Sequence, residues 1–505
     1  MPKKLLVFLI IFLSGFGAKS QLVNHYWTHA FNSTSSLLGG AVVAGDGDNS
    51  SLYYNPATIS QMGDGSNLSI AANLFTWNVY KLNNAVGNGL DLDNTNFSVQ
   101  PQFFSYTYKP KNSKFSLAAS VLTRLKERME MSYANSTYKD VIKAFPGDEK
   151  YNTVFNYRND YTDTWLGGGF AHDVSDNFSY GASLFVSAST LIYEFGYSAS
   201  TYNVIDSSFI NPDIGASIVS DGTYQESMRF TDYKLVLKIG LAYKIGNWRL
   251  GLNFTSPTWR LFSSGKKAIR IDTRSNIFVD GKKLPDYVIF DAQDENVIKT
   301  NYKLPYSIAF GFIWDRPERN QKFYFTTEYF GRLKVYKMVD APMNSSISSP
   351  DVVEQLENKD WLSFVYGARP VLNLAIGYSW KIRKKLTFLN ALRTDLSAIN
   401  SKVVESFGSH TYMKASTFNI YHYSGGVEFS IKQSKIIAGG DIGFGYRKNE
   451  KQLANFSDPV EYDPIDKRSL QGPLTNAMNT YYFGFSIYIG VTFNFIRQAT
   501  KPKNN

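Results

Sequence analysis

The sequence predicts an all-β protein, a transmembrane antiparallel β-barrel of about 14 strands with an N-terminal plug, or hatch, in its lumen. Three observations predict it. An export signal is followed by no helical span, long segments alternate apolar and polar residues with period two, and the connections between them are short and long by turns.

Composition sets the bounds. The chain has 505 residues, 19% of them charged and 16% aromatic, with 37 Gly, a formal net charge of +10 and no Cys. An average soluble domain carries about 25% charged residues, so charge has been exchanged here for Tyr, Phe, Asn and Ser. The aromatic content supplies ample apolar surface and excludes a disordered chain. Without Cys there are no disulfides, thiolate metal sites, cysteine nucleophiles or acylated N-terminal Cys.

The N-terminus decides the compartment. Lys3 and Lys4 precede an apolar run from Leu5 to Leu13, and Ala18, Lys19 and Ser20 give a small-x-small spacing before Gln21. Residues 1–20 therefore read as a secretory signal peptide. No other stretch approaches the roughly 18 consecutive apolar residues of a membrane helix. An exported chain of this kind is expected in the outer membrane of a Gram-negative bacterium.

Period two places alternate side chains on opposite faces of a strand. Near the C-terminus Tyr481, Phe483, Phe485, Ile487, Ile489, Val491, Phe493 and Phe495 alternate with small or polar residues. The pattern recurs in Tyr233 to Ile245, interleaved with Lys234, Lys238 and Lys244, and again in Leu304, Tyr306, Ile308, Phe310, Phe312 and Trp314. Soluble strands average about 5 to 6 residues; the longest of these run to about twice that, which suits tilted strands crossing a bilayer. Strands are placed near residues 67, 97, 113, 161, 177, 230, 247, 302, 321, 370, 385, 417, 435 and 480. The links then alternate. Short ones include Pro110 to Asn112, Val174 to Asp176 and Gly246; long ones include Glu130 to Asp160, Gly196 to Arg229 and Lys448 to Asn479. Lipid cannot satisfy an open sheet edge, so the last strand must pair with the first. An even strand count puts both termini on the periplasmic side. The apolar faces meet lipid and their partners line the lumen.

Gln21 to about Ser66 lacks alternation, yet it holds Tyr26, Trp27, Phe31, Leu37, Leu38, Leu52, Tyr53 and Tyr54, enough apolar surface to pack. Residues 21–66 are expected to form a folded plug, residues 67–496 the barrel, and residues 497–505 a periplasmic tail beyond Phe495.

Here the residues carry a resemblance. Gly39 to Asp46, with Gly40, Ala41, Val42, Val43, Ala44 and Gly45 between, is followed by Ser50, Ser51, Leu52, Tyr53, Tyr54, Asn55, Pro56 and Ala57. The stretch resembles the hatch motif of the FadL family, the outer-membrane transporters of long-chain fatty acids and hydrocarbons. Its motif positions are Gly45, Asp46, Tyr54, Asn55, Pro56 and Ala57. Gly240 to Tyr243 with Leu250 to Pro257, and Leu304 and Pro305 with Gly311, resemble two further family segments. The resemblance spans the mature chain and implies a fourteen-stranded barrel with a hatch. It also implies transport without enzymatic chemistry: a hydrophobic substrate lands among the outer loops, passes into the lumen and leaves sideways through the wall. Partitioning into the bilayer at about 0.8 kcal/mol per buried methylene makes that route sensible. In the family the gap comes from a kink in the third strand. Here that strand, about Ser113 to Met129, has neither Gly nor Pro, and Pro101 in the second strand is the nearest candidate irregularity, since Pro cannot donate to a ladder.

A fatty acid presents a carboxylate and a long tail, so lumenal cations are the candidate ligands. Phe115, Leu117, Ala119 and Val121 face lipid, which by parity turns Arg124, Lys126 and Arg128 inward; Arg249 and Arg393 point inward too. Lumenal charges commonly pair, and Glu328, Asp395, Glu428 and Asp441 share those inward faces. The resemblance places a landing groove near Met129, Met131, Tyr133 and Phe145.

Sharper motifs fail. Asp46, Asp48 and Ser50 mimic the start of a calcium loop, but Ala57 stands where a bidentate carboxylate is needed. His25 and His29 have no carboxylate between them and no third ligand. No Gly-x-Ser-x-Gly elbow presents a nucleophile. Thus no cofactor, metal or catalytic residue is expected, and the basic charge suits lipid head groups or anionic solutes better than nucleic acid. The expected partners are a hydrophobic small molecule and outer-membrane lipid. Two other classes remain: a plain diffusion pore, which a plug would obstruct, and an anchoring or shuttle subunit of a protein secretion machine. A stoichiometric protein partner on purification favours that subunit; bound detergent or fatty acid in a lone barrel favours the transporter.

Overall fold

A computed structural model of the chain describes residues 25–27, 31, 33–45, 48–143, 147–202, 219–274, 278–279, 282–283, 287–340, 363–398, 418–431, 434–463 and 468–495. The expected signal peptide, the C-terminal tail, Asp46, His29 and Phe145 lie outside them.

Fourteen strands form the wall. They are β1 (Gly65–Asn83), β2 (Leu92–Lys109), β3 (Phe115–Lys139), β4 (Glu149–Asp173), β5 (Phe178–Tyr202), β6 (Val219–Ile245) and β7 (Trp248–Thr255). Then come β8 (Ser307–Arg316), β9 (Gln321–Phe330), β10 (Val371–Arg383), β11 (Leu386–Asp395), β12 (Asn419–Ile431), β13 (Ser434–Glu450) and β14 (Met478–Phe495). Each pairs antiparallel with the next, and β14 returns to β1 over Ser66 to Asn83, so the sheet closes on itself. Tight turns link the strands at one rim, where Asn112, Gly246 and Asn320 take the left-handed conformation such turns need.

Side chains divide as period two requires. Ile239, Leu241, Leu252, Ile308, Phe310, Leu374, Ile376, Phe444 and Ile489 are exposed on the outer wall, whereas Lys234, Lys238, Asn253, Asn373 and Asp441 are buried inside. One expectation on that wall is corrected. Leu304 lies before β8, buried, with its N–H donating to Thr258 Oγ1 at 3.0 Å, because the chain enters the wall only at Ser307.

The long-loop rim holds more strand than expected. β3 and β4 run on as a hairpin through most of Glu130 to Asp160, and β5 and β6 through much of Gly196 to Arg229. There the pattern inverts: Tyr151, Phe155, Tyr157, Tyr193 and Phe195 are buried inward, while Asn156 is exposed outward and Arg158 and Glu194 are partly exposed there. Outside hydrocarbon the outer face meets water, so apolar residues turn in. A reading that seeks apolar-out alternation stops where the strand leaves the bilayer. Two hairpins extend this crown. Trp259–Arg274 pairs with upper β6 and with Tyr287–Thr300, and Leu333–Asp340 pairs with Phe364–Ala368.

Inside the barrel, the N-terminal segment folds as two short helices, α1 (Ser33–Leu37) and α2 (Ser51–Tyr54), and a 3-10 turn at Pro56–Gln61. From Leu52 of that segment to Leu470 and Met478 near the opposite rim, buried side chains form one continuous cluster.

Candidate functional site in the barrel lumen

The Asn-Pro-Ala box is the hub of the inner segment. Pro56 opens the 3-10 turn with its φ already set for that position. Asn55 is fully buried; its Oδ1 accepts the Ala57 N–H at 3.1 Å, while its Nδ2 donates to Val43 O at 2.8 Å and to Leu241 O on β6 at 3.0 Å. One side chain thus ties both halves of the segment to the wall. Ser183 Oγ donates to Leu52 O and Ser179 Oγ to Ala57 O, and Tyr54 Oη accepts the Phe31 N–H. Burial raises the Tyr53 phenol above its usual range and pushes Tyr54 up to about 12, so both remain protonated. The wall makes room with glycine: a Cβ on Gly240 would overlap Asn55 Oδ1, and one on Gly251 would overlap Val43 O. Gly45, at φ +90, faces Gln61 and Thr58 in a conformation L side chains rarely adopt. Gly240→Val is therefore expected to unseat the box at a cost of roughly 1–3 kcal/mol. Limited proteolysis of the folded barrel reads this as faster cleavage before residue 65, with heat-modifiable gel migration unchanged. Cleavage at the native rate would contradict it.

Above the box lies a cavity that holds cations. It is lined by Tyr26, Tyr53, Arg124, Trp165, Lys238 and Glu328, among others. Arg124 is the extra residue of a β-bulge: Thr123 pairs with Thr164 and Leu125 with Asp163, which leaves Arg124 without a partner on β4. Its Nε donates to Asp163 Oδ2 at 2.5 Å, and that fully buried carboxylate also accepts from Ser187, Ser189 and Trp165. Among the described residues nothing accepts from Arg124 Nη2. Lys238 donates to Thr255 Oγ1 at 2.9 Å and lies 4.4 Å from the Tyr53 ring centroid, with no ion pair among the described residues. Glu328, by contrast, accepts from Trp27 Nε1 and Ser307 Oγ. The cavity therefore offers an aromatic wall and two cationic heads with donors to spare.

The wall is interrupted beside Arg124. β2 pairs with β3 only over Phe103 to Tyr108, opposite Leu117 to Leu122. Further along, the described residues of the two strands share no backbone ladder, and the side-chain amides of Asn94 and Asn96 reach across, donating to the carbonyls of Glu130 and Arg128. Pro101 stands two residues past the last paired position of β2, where pairing with β1 also slips. Phe97 and Val99, 66% and 71% exposed, are the most exposed large apolar side chains described, and both border this seam.

No protein-family model matches the chain, and no curated protein does. Solved structures do. A crystal structure of a Pseudomonas aeruginosa FadL homologue superposes over 94% of this chain and 100% of its own, with a TM-score of 0.57 at 12% identity. The Pseudomonas putida toluene transporter TodX matches over 93% and 99%, with a TM-score of 0.55 at 15% identity. The Ralstonia pickettii toluene transporter TbuX matches over 92% and 99%, with a TM-score of 0.50 at 12% identity. The fold is that of the FadL family.

In this FadL-type barrel the expected site residues separate. Arg124 lines the cavity, but Lys126 and Arg128 do not follow it inward: the bulge shifts parity by one, so Leu125 and Met129 are buried and Arg128 is exposed, paired with Glu130. Met131 is buried on β3 and faces the lumen instead of an outer loop, and Tyr133 stacks on Phe456. Arg249 reaches Gln61 Oε1 near the short-turn rim, and Arg393 lies with Asp441 and His422 on the far wall. Neither joins Arg124. Lys238 was legible as lumenal by parity, but its neighbours, 114 positions from Arg124, were not.

Proposed function

We propose that this barrel is an outer-membrane transporter for long-chain fatty acids or similar hydrophobic compounds, gated by its hatch and discharging sideways. The observation that carries the reading is the coincidence of two features at one height: the donor-rich cavity at Arg124 and the missing ladder between β2 and β3. A carboxylate seated on Arg124 and Lys238 leaves its tail against Tyr53, Trp165 and Tyr26, within reach of the seam. The fold supports the reading, since the neighbours include structures described as toluene transporters. The hatch, held by hydrogen bonds from inward serines of the wall and from its own Asn55 to Leu241 O, would shift without unfolding.

The test is uptake. A deletion strain is expected to take up labelled hexadecanoic acid several-fold more slowly, with recovery on complementation and no change for small hydrophilic solutes. Loss confined to hydrophilic solutes would sink the proposal.

A further inference from the structure

Higher in the lumen, on the same inward face of β4, a second polar group is stranded. Asn159 is completely buried, and among the described residues neither its Oδ1 nor its Nδ2 has a hydrogen-bond partner. Tyr157, the next inward residue, is 2% exposed and its hydroxyl is likewise without a partner. Around them the register places Met129 opposite Asn159, Met131 opposite Tyr157, and Tyr193 on the other flank. Burying an amide with both edges unanswered is costly; Asp163, on the same inward face of β4, meets four donors. An asparagine left so among Met129, Met131 and tyrosine rings points to a guest that supplies the missing partner.

We infer that Asn159 and Tyr157 form a second recognition station, one that hydrogen-bonds a neutral oxygen function on the transported acid. The inference rests on the transport reading above. Asn159 lies four residues from Asp163, the partner of Arg124, so the two stations are about 13 Å apart along the strand. A carboxylate at Arg124 then sets a mid-chain hydroxyl beside the amide. Such a hydroxyl can donate to Oδ1 and accept from Nδ2, answering both edges at once. A second carboxylate is disfavoured, because Glu127 faces the lumen one inward step from Met129. The two methionines give this part of the passage walls that adapt to an uneven chain. The favoured substrate is thus a hydroxylated long-chain acid, ahead of the plain acid or a bare hydrocarbon.

The full-length barrel in detergent, titrated with hexadecanoic acid and with 10-hydroxyhexadecanoic acid, tests this. The native protein is expected to bind the hydroxy acid at least about tenfold more tightly, as a site built around a hydroxyl rejects the analogue lacking it. Asn159→Leu should erase that preference, leave affinity for hexadecanoic acid within about twofold, and hold or raise the unfolding temperature, since it removes an unanswered amide. Tyr157→Phe, which keeps the ring, should reduce the preference partway. Equal affinity of the native protein for the two acids, or a preference that survives Asn159→Leu, would overturn the inference while leaving the transport reading intact. Binding of neither acid would bring down both.

Discussion

Arg124→Leu is expected to weaken binding of hexadecanoate at least about tenfold, the worth of one lost charge-assisted hydrogen bond, and to destabilise the barrel by about 3–5 kcal/mol. The two losses have different origins. The binding loss comes from Nη2, which no described residue occupies. The stability loss comes from Asp163, whose fully buried carboxylate would be left with hydroxyl and indole donors but no cation in contact. A second substitution separates them. In Arg124→Leu/Asp163→Asn the amide still accepts from Ser187, Ser189 or Trp165 and carries no charge, so thermal unfolding in detergent should return close to the native value while affinity stays low. Native affinity in the double variant would show that Arg124 serves only to neutralise Asp163.

Closing the seam should abolish transport while sparing binding. The chain has no Cys, so Val99→Cys and Lys126→Cys introduce the only thiols, one on each bank of the interval where β2 and β3 share no ladder. Joining them with a short bismaleimide is expected to reduce hexadecanoate uptake at least about tenfold, consistent with a lipid exit that needs unpaired wall. Each single variant, treated alike, should transport at the native rate. Binding measured on the joined protein should be unchanged, because neither side chain contributes to the cavity around Arg124. Undiminished uptake after complete joining would place the exit elsewhere.

The wall was legible because lipid writes a simple rule into it. Where hydrocarbon lies outside and polar groups inside, as from Tyr233 to Ile245, alternation alone assigns every face correctly. Legibility failed where a different physics took over. Past the bilayer the outer solvent is water, and strands such as upper β4 carry Tyr and Phe inward and Asn and Arg outward, so they resembled loops. The bulge at Arg124 needed no Gly or Pro to signal it, yet it shifted the parity of Lys126, Arg128 and Met131. The cavity itself joins residues from the N-terminal segment and from β3, β4, β6, β7, β8 and β9, a closeness that only the closed barrel creates. Asn55 stood out beforehand as part of a motif; that it ties two parts of its own segment to β6 required the structure.

The unbroken run of buried side chains from Leu52 to Leu470 has a consequence for the cell envelope. An ion or a sugar would have to shed its hydration to enter such an interior, at a cost that hydrocarbon solutes do not bear. Under the transport role proposed above, many copies of this barrel would pass hydrophobic solutes without leaking salts or polar drugs.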